Sequence, residues 1–93
     1  MTKSLTVLAT SGEAQEKLES FILRQGFLVK TWETLKTGKN AWDNEVSAIQ
    51  IFLNEGARIE WFKSQIEEIN ENLKYRASEI EVLTKANALA SVY

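Results

Sequence analysis

The chemistry open to this 93-residue chain is limited first by what it lacks, since it contains neither His nor Cys. That removes the commonest general base near neutral pH, the thiolate nucleophile, and the favoured soft ligands for zinc and copper. Carboxylates remain. Glu67, Glu68 and Glu71 lie close together in sequence, and paired carboxylates act as acid and base, or hold a hard cation, when a cleft brings them together. These three fall opposite an apolar stripe, so a solvated helix face is the simpler account. Asp43 and Asn44 also carry oxygen ligands, but in a turn-rich segment they read first as part of a hairpin turn. Ser11-Gly12 follows an apolar run and precedes a helical pattern, so its amides stand where an anion is received. A lone glycine lacks the spacing of a Walker or dinucleotide loop, and a helix cap is the better assignment. The expectation is of a protein that is not an enzyme, with no cofactor and no metal.

Three tryptophans are the more informative feature. Trp61 borders the main helical stripe and belongs to a core or an interface. Trp32 and Trp42 stand on either side of the turn-rich Thr37-Gly38-Lys39-Asn40, where aromatic side chains either stack across a hairpin or are presented to a ligand or partner. The densest basic group, Lys30, Lys36 and Lys39, lies in the same region and is broken by Glu33 and Asp43. The candidate ligand- or partner-binding residues are therefore Trp32, Lys36, Lys39, Trp42 and Asp43. Eleven basic against thirteen acidic residues, a formal net charge of -2, do not provide the basic footprint of a duplex-binding module. Single-stranded RNA readers of the RRM type need aromatic residues on their central strands, and LTVLAT offers none. Nucleic acid is thus not the expected partner.

The elements that must position these side chains follow from periodicity and punctuation. With 44% hydrophobic and 26% charged residues, the chain can bury a core, and its length suits one domain over residues 1–93. Proline is absent and the glycines stand at 12, 26, 38 and 56, so glycine carries most of the breaks. Leu5 to Thr10 reads as a strand entering a turn. From Ser11 as N-cap, Ala14, Leu18, Phe21 and Ile22 recur at helical spacing, with Gly26 in the left-handed conformation expected to stop that helix. Phe27 to Leu35 and Val46 to Leu53 suit two strands joined by a long loop through Thr37-Gly38-Lys39-Asn40. Ile59, Phe62, Ile66, Ile69 and Leu73 step 3, 4, 3, 4 and mark a second helix. Glu79 to Thr84 alternates as a last strand.

The resulting order, βαββαβ, is the ferredoxin-like pattern: an α+β fold with a four-stranded antiparallel sheet and two helices on one face. A competing arrangement continues the heptads from Ile59 through Ile80 and Leu83, and would make the chain a helical adaptor or inhibitor binding a partner through 59–90. It places Arg76 and Asn87 in an apolar seam and leaves the first strand without sheet partners. In the ferredoxin-like arrangement Leu5, Val7, Ile49, Ile51, Ile80 and Val82 face the helices, while Leu8, Phe52 and Leu83 lie on the opposite face among Thr6, Gln50 and Glu81. A half-apolar open face is covered by self-association or by the tail of residues 86–93 folding back.

The opening LTVLATSGEAQEKLESFILRQGF, the tryptophans flanking the hairpin, and Tyr75-Arg76-Ala77-Ser78-Glu79-Ile80 together resemble the CutA1 family, relatives in fold of the PII signalling proteins. The resemblance implies a compact homotrimer with loops and subunit clefts open to a protein partner or small metabolite. Departures limit what carries over. Ser78 stands where the family has proline, Leu73 where a histidine is usual, and the cysteine of the second strand is absent, so the family's metal-associated residues do not transfer. The expected function is that of a non-enzymatic regulatory or scaffolding protein. It would act as a homo-oligomer and bind through the 36–45 hairpin loop and subunit clefts. No apolar run approaches the roughly 18 residues of a membrane span, and the N-terminal apolar stretch is too short for a signal peptide. A cytoplasmic location is the expectation.

Overall fold

The computed structural model describes residues 3–72 and 80–93. Element order is β1 (Lys3–Ala9), α1 (Gly12–Arg24), β2 (Val29–Lys39), β3 (Glu45–Leu53), α2 (Ile59–Glu71), β4 (Ile80–Leu83) and α3 (Lys85–Ala90). The four strands form one antiparallel sheet in the order β2-β3-β1-β4. This is an α+β architecture consistent with a small ferredoxin-like fold, with α3 added beyond the expected βαββαβ order.

β1 lies inside the sheet, pairing Val7 with Ile49 on one side and with Val82 on the other. Its residues Leu5 to Ala9 are all buried, as expected of a strand packed on both faces. Leu5, Val7, Ile49, Ile51 and Ile80 meet Leu18, Phe21, Ile22, Phe62 and Ile66 from α1 and α2 in the main core, with Val82 packed against it. The expected division of the strands into two faces holds. Phe21, Trp61 and Phe62 form an aromatic cluster across α1 and α2, with ring centroids 5.1 to 6.1 Å apart, a spacing favoured by tilted and edge-on rings.

Ser11 caps α1 as its position in the sequence implies: its backbone is extended and its Oγ accepts the Ala14 N–H at 3.0 Å. The end of that helix differs from expectation. No glycine among the described residues has positive φ; the helix closes through Gln25, whose N–H donates to the Ile22 carbonyl. Residues 25–28 then turn, leaving Phe27 outside the strand and 97% exposed. Two hydrogen bonds from Asn54, backbone N–H to the Leu28 carbonyl and Nδ2 to the Phe27 carbonyl, hold that turn.

Half of the expected long loop over 36–45 is instead strand. Lys36 to Lys39 pair with Ala48 to Glu45, and two register shifts along β2 accommodate an irregular pattern. Thr37-Gly38-Lys39 carries turn-type residues, but β3 supplies hydrogen-bonding partners there and pairing overrides local preference. Only residues 40–44 turn.

The continuous helix over 59–90 is not formed, because α2 ends at Glu71 and Ile80–Leu83 is a strand. Leu73 and the Tyr75 to Glu79 stretch lie outside the described residues. The tail folds back over the second sheet face. Ala88 and Val92 are buried against Leu8, Val46 and Ala48, with Leu35, Leu83 and Leu89 around them.

Candidate functional site

The turn between β2 and β3 is closed by its own hydrogen bonds. Asn40 Oδ1 accepts the N–H groups of Trp42 (2.9 Å) and Asn44 (3.0 Å), while the Asn40 carbonyl accepts the Asp43 N–H. Such side-chain-to-backbone bonding is why Asn favours turns. Asp43 adopts φ 63°, a left-handed conformation that Asp tolerates better than most residues. Its carboxylate lies 3.8 Å from Lys39 Nζ, with both side chains largely exposed, so the pair is screened and adds little. The cation-site reading of Asp43 and Asn44 gives way to the turn. Among the described residues, no group of three or more acidic side chains is placed to hold a metal ion.

The C-terminal residues reach the same place from the other direction. Past α3, Tyr93 exchanges two hydrogen bonds with Lys39, its N–H donating to the Lys39 carbonyl at 2.7 Å and its carbonyl accepting the Lys39 N–H at 3.0 Å. This satisfies backbone groups on an edge strand, which otherwise stand open to unwanted pairing. The approach depends on Gly38: a Cβ there would collide with the Tyr93 carbonyl oxygen and lie 2.9 Å from Val92 Cγ1.

Two aromatic side chains are thus brought to one cleft by anchored backbone. Trp42 is 80% exposed and Tyr93 76% exposed, and both line a cleft of ≈ 600 Å³ together with Leu8, Asn40, Glu81 and Ser91. That volume falls within the range of small-ligand and side-chain pockets. Sequence reasoning missed Tyr93 and Glu81. Neither carries a local motif: sheet pairing sets Glu81 opposite Leu8, and the backbone exchange with Lys39 brings Tyr93 to the turn.

The five candidate residues do not form one site. Trp42 is at the cleft, and Lys39 and Asp43 belong to its supporting turn. Lys36 lies exposed on β2, paired with Ala48. Trp32 is paired with Ile51 and packs half-buried against the main core; it neither stacks on Trp42 nor flanks a loop. Trp61 joins the aromatic cluster, as its place beside the helical stripe implies. Glu67, Glu68 and Glu71 are exposed on α2, in keeping with a solvated face.

A second cleft, ≈ 450 Å³, lies at the start of α1 and includes Ser11, Gly12, Gln15, Lys39 and Ser47. Ser11 Oγ is already engaged in capping, and Ser47 Oγ donates to Gln15 Oε1 at 3.0 Å. Local bonding accounts for these polar groups, and the anion reading of Ser11-Gly12 has no further support. No helix among the described residues is long and apolar enough to cross a membrane. No protein-family model matches the chain, and no match is found among curated proteins or solved structures.

Proposed function

We propose that this protein is a non-enzymatic regulatory or scaffolding domain that binds a partner protein through the cleft beside the β2–β3 turn. The observation that carries this reading is the pair of large aromatic residues, Trp42 and Tyr93, held exposed on hydrogen-bonded backbone at the same cleft. Exposed aromatic side chains on ordered backbone lose little conformational freedom on binding and are enriched among residues that dominate interfaces. Trp42→Ala should abolish binding of peptides selected on the wild-type protein while shifting stability by no more than about 0.5 kcal/mol, as expected for a surface substitution. Circular dichroism and thermal melting check the second half. A variant that binds the same peptides as tightly as wild type would overturn the reading.

A homotrimer related to the CutA1 and PII proteins is a second reading. Its support is the strand order with two helices on one face, and half-buried Phe52 on the part of the second sheet face that lies away from α3. Against it, α3 itself covers the other part of that face, which removes much of the need for subunit burial. Light scattering at micromolar concentration gives a mass near three chains if the trimer forms, and near one chain if it does not. A small metabolite at a subunit cleft depends on the trimer and stands or falls with it.

A further inference from the structure

We propose that the cleft formed by Trp42, Tyr93 and Glu81 receives the guanidinium of an arginine on the partner protein, an assignment that rests on the cleft being a partner-binding site. Aromatic faces carry negative electrostatic potential and attract cations. Among the described residues, neither Trp42 nor Tyr93 stacks on another aromatic ring, so their faces are available to a ligand. Among the described residues, Glu81 is the one charged side chain lining the cleft, and it is exposed on β4. Lys39, the nearest basic residue of the turn, points its ammonium group toward Asp43 and does not line the cleft.

Two rings and one carboxylate suit arginine better than lysine. Guanidinium is planar and weakly hydrated, so it stacks on an aromatic ring while its N–H fork donates to a carboxylate. An ammonium group is a strongly hydrated point charge and gains less from the rings. A second copy of this chain is a poorer occupant. Two-fold docking through this surface would bring two Glu81 carboxylates together and strip water from both. The site is also built before ligand arrives: the Asn40 side chain fixes the Trp42 backbone and the Lys39 exchange fixes that of Tyr93, which lowers the ordering cost of binding.

The test is selection of a random peptide library on the immobilised full chain, with counter-selection on Trp42→Ala. Arginine should be enriched in the peptides that require Trp42, and changing it to citrulline should weaken binding at least about tenfold, as expected when a charge-assisted hydrogen bond is lost. Glu81→Gln should weaken the same peptides by a similar factor and flatten their salt dependence; circular dichroism verifies that each variant is folded. Peptides that require Trp42 but contain no arginine, or that bind Glu81→Gln as well as wild type, overturn the arginine assignment and leave the partner surface standing. If no selected peptide depends on Trp42, the partner-binding reading itself fails. A concentration-dependent increase in mass that Trp42→Ala removes identifies the occupant as a second copy and also overturns the arginine assignment.

Discussion

At the level of single residues, Gly38 has a role that its position in a turn-type sequence does not suggest. It sits in β2 opposite Val46, and it is needed because the C-terminal backbone crosses directly over it. Gly38→Ala should push Val92 and Tyr93 off the edge of β2, at a cost of about 1 to 3 kcal/mol typical of overpacking. Hydrogen exchange reads this directly: the Lys39 and Tyr93 amides, which bond each other's carbonyls, should lose protection while those of α1 keep theirs. Unchanged protection at Lys39 would show that the crossing adjusts without release. Lys3 supplies another long-range tie, donating from Nζ to the carbonyls of Glu55 (2.9 Å) and Ala57 (3.1 Å), and so fastens the approach to α2 onto the start of β1.

The two long helices show how differently similar apolar stripes are finished at their ends. α1 has a Ser11 cap, Glu13 in its first turn and Arg24 in its last, all in the sense that the helix dipole favours. α2 follows Arg58, which makes no side-chain cap, and it has Glu60 in its first turn but no basic residue in its last. Burial of Phe62 and Ile66 must therefore carry α2. Arg58→Ser supplies the missing acceptor at an exposed site, and thermal melting should show a gain of about 0.5 to 1 kcal/mol. No gain would mean that the extended approach at Arg58 cannot aim a short side chain at the first-turn amides. The short α3 is capped by Thr84, whose Oγ1 accepts the Asn87 N–H, but six residues are too few to be stable alone. Its contacts with Leu8, Val46 and Ala48 hold it in place.

For the whole molecule, the two sides of the sheet are covered differently. The side covered by α1 and α2 contains the main core, whereas the side under α3 borders the Trp42–Tyr93 cleft. Ile66→Ala, at a position 1% exposed, should cost about 2 to 5 kcal/mol. For a domain of this size that lowers the melting temperature by roughly 4 to 8 °C per kcal/mol. Measured beside Trp42→Ala, it separates the two sides; equal destabilisation by both substitutions would place Trp42 in the core and remove the basis for the binding role proposed for it.

Elements with a strong local period were legible from the chain alone. Ala14, Leu18, Phe21 and Ile22 define the buried face of α1, Phe62 and Ile66 that of α2, and the alternation of Ile49 and Ile51 fixes which face of β3 meets the helices. Each pattern repeats every two or nearly four residues, so a few neighbours in sequence suffice to specify it. The Ser11 cap was legible for the same reason, since donor and acceptor are three residues apart. What depended on distant partners was not. The extent of β2 through Lys39 was decided by pairing with β3, and the path of the last eight residues by an apolar surface assembled from β1 and β3. Glu81, Trp42 and Tyr93 come from three separate elements of the chain, and no periodicity relates their positions. Their meeting at one cleft is a product of strand order and of one glycine thin enough to let the C-terminal backbone pass.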